Sequence, residues 1–394
     1  MRAVGLAVLA ALCAAVEVRA DEAVSPNAFS GTDSERIEKA IAKACETGVR
    51  RVRIPRVNAA RKDSVWMLDR AVLLPDDFTL LLDDALLRSA PGVRDNVIRN
   101  AGAVPGALVT NRNVSVIGTG HAVLCQGGPA RYDPPGDKGG WRGIGLYFCC
   151  VENFTVSGVT VRESQSWGMS FERCWEGLVS NVSFESTDAY PNQDGVDIRK
   201  GCHNLTVENV RGVSGDDLVA LTGLRHRGRL DPATPYDDSP EAVQRRRARK
   251  ERYAMQLTAD LPDGDEDIHD VIVRNVRGAS AGGHGIVRLL CNDGLKMHDV
   301  VVRDVVECVA PNAKHPTFAT VRIGDGTIYG AAAAEGDMYN VLVDGVWAKG
   351  QCCVRVMGPL RDVTIRNLFP ATAGTKKYEI ANDCKFTRVV FEGR

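Results

Sequence analysis

Three aspartates, Asp194, Asp216 and Asp217, stand in two short glycine-bearing segments, "NQDG" from Asn192 and "SGDD" from Ser214. Asp194 and Asp216 are 22 residues apart (216−194). Crowded carboxylates cannot all ionise easily, so one keeps its proton near neutral pH while another stays charged. Glycosidic bond hydrolysis requires that split: an acid protonates the leaving oxygen, and a base or nucleophile serves the anomeric carbon. Neighbours in a regular strand face opposite ways, so Asp216 and Asp217 share a cleft only if Gly215 opens a bend or bulge. Each segment alone is ordinary turn composition, and so is "GHG" at Gly283, His284 and Gly285. Their meaning depends on what the chain does between them.

Between them the chain repeats. The pattern apolar, any, Asn/Asp/Gly, apolar starts at Val156, Val179, Val207, Val273, Val302, Val343 and Ile365. The shorter intervals match one coil of a solenoid, and the longer ones imply coils with insertions. Each copy is short and β-branched and ends at a break, as a strand does. Stacking copies in parallel buries a continuous Val/Ile/Leu core, and the Asn or Asp suits a bend that tolerates left-handed backbone. The fold expected is all-β, a single-stranded right-handed parallel β-helix. On it, Asp194 and Asp216 fall at equivalent places on adjacent coils, ~4.8 Å apart.

A solenoid needs an end cap. "GTDSERIEKAIAKACETG" supplies a helix, with Thr32 and Glu35 in capping-box spacing, an apolar face of Ile37, Ala40, Ile41 and Ala44, and Gly48 as the stop. Strands follow at "RVRIP", "VLLPDDFTLLLDD" and "NVSVIG". Residues 225–267, polar and proline-bearing, read as a loop inserted into one coil. Its arginine-rich stretch, Arg245 to Arg252, reads as a solvated short helix, with an acidic ligand as the alternative.

With 49 basic against 50 acidic residues and 44% hydrophobic content in 394 residues, the composition is that of a soluble globular chain. It points to neither nucleic acid nor membrane insertion. Residues 1–20, with Arg2, an apolar run and Val18-Arg19-Ala20, read as a signal peptide, so the mature domain is 21–394 and a secreted or periplasmic location is expected. The twelve cysteines are scattered, and eleven remain after cleavage; buried thiols are as compatible with this as disulfides. No C-x-x-C pair occurs, and no metal or cofactor is called for. The expected partner is a polysaccharide or oligosaccharide, bound by a monomer.

The order "NQDG", "GDD" a coil later, "GHG", and "VRIG" at Val321 to Gly324 resembles the polygalacturonase family, glycoside hydrolase family 28, whose pattern is N-T-D, D-D, G-H-G and R-I-K. The resemblance implies Asp216 as general acid, with Asp194 and Asp217 activating water for inverting hydrolysis, and His284 assisting. It implies substrate binding by Arg322, whose planar fork of donors suits a carboxylate. Asn192, Arg288 and Trp167 join it as candidate substrate-binding residues. Gly324 stands where the family carries its substrate-binding lysine, which leaves the sugar open, with Arg288, Lys296 or the basic insertion as replacements. Two alternatives of other kinds are a β-helix polysaccharide lyase, which needs Ca²⁺ and a base beside a uronate, and a non-catalytic carbohydrate-binding β-helix.

Overall fold

The computed structural model describes residues 23–106, 109–127, 139–186, 190–225, 229–261, 266–311, 313, 315–327 and 329–392. The expected signal peptide lies outside them. Helix α1, Asp33–Glu46, opens with the full capping box: the Thr32 hydroxyl accepts from the Glu35 amide, and Glu35 accepts from the Thr32 amide. It ends before Gly48, at φ 73°. Ile37, Ala40, Ile41 and Ala44 turn into the first coils and close the apolar column there.

Past this cap the chain winds as a parallel β-helix, its strands forming a 15-stranded and a 10-stranded parallel sheet among the described residues. The repeated motif sets the register. Val156 pairs with Val179, Val179 with Val207, Val207 with Val273, Val273 with Val302, Val302 with Val343, and Val343 with Ile365. Its third residue is left-handed in every copy: Gly158, Asn181, Asn209, Asn275, Asp304, Gly345 and Asn367 all have φ between 52° and 79°. That single turn of the backbone changes the phase of the side chains, so the two apolar residues three apart both point inward. Val207 and Val210 are each at most 1% exposed, although strict alternation would set them on opposite faces. Asparagine and aspartate take this conformation at lower cost than other non-glycine residues.

The inserted segment leaves the coil after the strand Val219–Gly223 and returns at Ile268. It contains helix α2, Pro240–Arg249, capped by Ser239. Most of its basic residues are exposed; Arg246 instead is buried against the Tyr253 ring and the Asp237 carbonyl. The eleven described cysteines are free thiols, most of them buried. Burial pushes the Cys352 thiol up to about 12 and Cys353 to about 11, which keeps them protonated and unreactive. Among the described residues no helix is long and apolar enough to cross a membrane.

Candidate active site

The outer face of the 10-stranded sheet carries the candidate residues. Val196 pairs with Val219, and Val219 with Val287. Counting back along these registers, Asp194 lies level with Asp217, and Asp216 lies level with His284. The 22-residue interval therefore misplaces the partner by one residue, because the coil at this point is 23 residues long (219−196). Asp216 reaches the same cleft through a bend at Gly215 and Asp216. Gly215 is required for close approach: a Cβ there would sit 2.6 Å from the Tyr190 carbonyl oxygen and 2.8 Å from Gln193 Cβ. The bend is held by Gly215 N–H donating to the Gln193 carbonyl at 2.8 Å. Gln193, where the family pattern has threonine, is buried and anchors to the Ser164 carbonyl.

Asp194, Asp216 and Asp217 converge, each with an oxygen within 4.8 Å of the others. Asp216 accepts the Asn192 backbone N–H at 2.8 Å, and His284 Nδ1 lies 3.3 Å from its other oxygen. Arg288 Nη1 lies 3.4 Å from Asp217. Asp194 Oδ1 and Asp217 Oδ1 are buried without a hydrogen-bond partner. Burial, then the neighbouring Asp197, Asp216 and Asp217, holds the Asp194 carboxyl well above the usual range. Burial and then Asp216 raise Asp217 as well, against the opposing pull of Arg288, Arg322 and His284. Asp194 and Asp217 thus hold their protons more tightly than isolated aspartates do.

Arg322 and Arg288 are register neighbours, and Asp325 pairs with both, at 3.2 Å from Arg322. Burial disfavours the Arg288 charge, but Asp217 and Asp325 outweigh it and raise its pKa. Gly324 is at φ 77°, and a Cβ there would lie 2.9 Å from the Gly358 amide nitrogen. With this backbone no lysine can occupy the position. Lys296 is exposed beyond the cavity described next, whereas Arg288 lines it.

A cavity of about 500 Å³ adjoins the carboxylates, lined among others by Trp167, Asn192, Asp194, Asp197, Arg199 and Arg288. Trp167 is buried, with one face covered by the Arg199 guanidinium 4.5 Å from the ring centroid. Asp197 and Arg199 were not among the expected residues. Their signal was present in "VDIR", where charges alternate with apolar residues in a strand-like run. Asp197 is 1% exposed, with neither oxygen hydrogen-bonded. Burial raises its pKa well above the usual range, with Arg199 opposing. The carboxylate trio could in principle ligate a cation. Arg288, however, places positive charge beside Asp217 and competes with an ion there.

Residues 100–226 match the family model described as glycosyl hydrolases family 28. The chain resembles family 28. A polygalacturonase of Persea americana is 30% identical over 76 residues, which are 19% of this chain and 16% of that protein. The match thus spans about a sixth of that relative's length. Two solved structures share the fold over 93% of this chain and 92% of their own: an endo-xylogalacturonan hydrolase from Aspergillus tubingensis (TM-score 0.57, 14% identity) and a hyperthermoactive exopolygalacturonase from Thermotoga maritima (TM-score 0.54, 16% identity). The family 28 match includes Asp194, Asp216 and Asp217 and stops before His284 and Arg322.

Proposed function

We propose that this protein is a polygalacturonase-like glycoside hydrolase of the secreted or periplasmic space, acting on a uronate-containing polysaccharide or oligosaccharide as a monomer. The observation that carries the reading is the convergence of three aspartates beside a cavity lined by one of them, Asp194, and by Arg199 and Arg288. Asp216, held by the Asn192 amide and His284, donates its proton to the leaving glycosidic oxygen. Asp194 and Asp217 hold a water between them, and its oxygen bonds the anomeric carbon as the glycosidic C–O bond breaks. The water's proton passes to whichever of these two is ionised, the other keeping its proton, so a proton enters the cluster for the one that left. Arg322 and Arg288 bind the uronate carboxylate or hydroxyls.

Attack by water inverts the anomeric centre. The carboxyl oxygens lie closer together than the ~6.5–9.5 Å common for inverting pairs, so the stereochemistry is a sharp test. A panel of plant, algal and host polysaccharides is incubated with the wild-type protein and with Asp216→Asn, and the first-formed anomer is read by NMR. Sugar release by both proteins at equal rates removes the mechanism, and a retained anomer makes one carboxylate a nucleophile. Unsaturated products absorbing in the ultraviolet, dependent on Ca²⁺ and abolished by EDTA, would instead establish the lyase. A glycan bound without turnover would leave a carbohydrate-binding β-helix.

A further inference from the structure

The inserted segment does more than decorate the coil it leaves. Its described residues 229–261 fold back toward the N-terminal coils and cover the strands Leu146–Cys149 and Met169–Glu172, where Leu257 and Thr258 bond Tyr147 and Glu172. Their outward side chains are sealed beneath it. Tyr147 and Glu172 are fully buried and bonded to each other, and the Leu257 and Thr258 amides donate to Glu172 at 2.8 and 3.0 Å. Met255 and Leu257 pack with Trp141, Ile144, Tyr147 and Trp167 in one apolar cluster. On the outer side, Trp141 donates its backbone N–H to the Ala254 carbonyl at 2.7 Å and its indole N–H to the Pro232 carbonyl at 3.0 Å.

A buried ionic knot fixes the returning end of the insertion. Glu266, 1% exposed, pairs with Arg173, with Lys200 at 3.6 Å and with Arg225 at 3.1 Å, while Lys200, 0% exposed, also pairs with Asp260 at 2.6 Å. Breaking such a knot leaves uncompensated buried charge. The insertion is therefore a fixed wall. The strand Met169–Glu172 pairs directly with Val196–Arg199, which follows Asp194. The wall thus begins one coil, ~4.8 Å, from the coil that bears the first catalytic aspartate. Between wall and carboxylates lies the cavity, with Asp197 and Arg199 on its floor and Arg252, Met255 and Gln256 contributed by the insertion itself.

We propose that the insertion closes the groove toward the N-terminal coils, so that the protein works at chain ends, seating the terminal unit of an acidic glycan in this cavity. The inference rests on the hydrolase reading above. A polymer cannot pass through the wall, and the space before it accommodates only a short terminal piece. Asp197 presents two buried carboxyl oxygens that no protein group satisfies, and a sugar hydroxyl, which both donates and accepts, completes them. Arg199 and Arg252 supply the positive charge that an acidic end group needs.

The test uses the full protein and oligogalacturonides of graded length. The wild-type protein is expected to release only the smallest product from the earliest time point, with each oligomer shortening in small steps. Mid-length fragments at early times overturn the inference while leaving the hydrolase reading intact. A second measurement needs no turnover: Asp216→Asn titrated with the same oligomers by calorimetry. One protein bound per chain at every length is the expected result, and a stoichiometry that grows with length overturns it. Binding no tighter than that of carboxyl-reduced oligomers, or no binding at all, overturns the acidic end group. Arg252→Ala is expected to weaken binding of the acidic oligomer about 10- to 100-fold, the loss of one charge-assisted hydrogen bond, and to leave the reduced oligomer unaffected.

Discussion

Two groups of short polar side chains are brought together by the coils of this solenoid, asparagines at its corners and aspartates on its groove side, and they are treated in opposite ways. At the corners of the 15-stranded sheet, Asn209 donates its side-chain amide to Asn181 at 3.2 Å, Asn275 donates to Asn209, and Asn367 donates to Asp344 at 2.7 Å. An earlier column repeats the arrangement, with Asn113 donating to Asp77 and Asn153 to Asn113, both at 2.6 Å. Asn209 and Asn113 each donate to one neighbour and accept from the next, so these stacks pair donor with acceptor at the protein surface. On the groove side, Asp194, Asp216 and Asp217 have only acceptors to offer when ionised, and one oxygen of Asp194 and one of Asp217 are buried without a partner. The corner stack closes on itself and stabilises; the groove stack stays incomplete, and its strain is what a proton or a substrate relieves.

The comparison breaks most sharply at Asp194. Asp194→Asn is expected to lower kcat by about 10²–10⁴-fold, measured on whichever glycan the screen identifies. The same change is expected to raise thermal stability at neutral pH. The folded-state pKa of Asp194 lies well above its unfolded value near ~3.9, so the native state binds the proton more tightly and wild-type stability falls as pH rises through that window. The asparagine variant does not titrate, so its melting-temperature advantage is expected at pH 7 and should close as pH falls toward about 4. An advantage that persists or widens in acid contradicts the raised pKa.

The corner stack should respond in the opposite sense. Asn275→Ala keeps the coil but forces a residue with a Cβ and no side-chain hydrogen bonds into φ 52°, at a cost of about 1–2 kcal/mol in denaturant unfolding, with activity per folded molecule unchanged. Asn275→Gly relieves the backbone while still losing the amide ladder, and the smallest effect, about 0.5–1 kcal/mol, is expected there. If glycine costs as much as alanine, the ladder lost in both variants outweighs the backbone conformation, and the contrast between the two stacks needs restating in those terms.

Much of the solenoid was legible because its cause is local. Each V-x-N-V copy carries both the apolar pair and the residue able to turn left-handed between them, so copies spaced by one coil had to stack. Helix α1 was equally legible, since Thr32, Glu35 and Gly48 set its ends by short-range chemistry. The site was readable as a set of residues but not as a geometry. The interval between Asp194 and Asp216 suggested that these two lie level, whereas the strand register sets Asp194 level with Asp217 and Asp216 level with His284. Asp325 and the wall built by Met255 and Leu257 left little trace, because their partners lie on other coils or across the insertion.

The sequence by itself determined the period, the corner conformation, the apolar column and the identity of the acidic cluster, all of which follow from residue type and spacing within one or two coils. Only the tertiary structure decided which carboxylates face which, why position 324 excludes a side chain, and that residues 229–261 lie back over the strands Leu146–Cys149 and Met169–Glu172. These depend on contacts between segments far apart in the chain, where a one-residue change of register or the seating of Glu266 among Arg173, Lys200 and Arg225 is set by packing and buried charge.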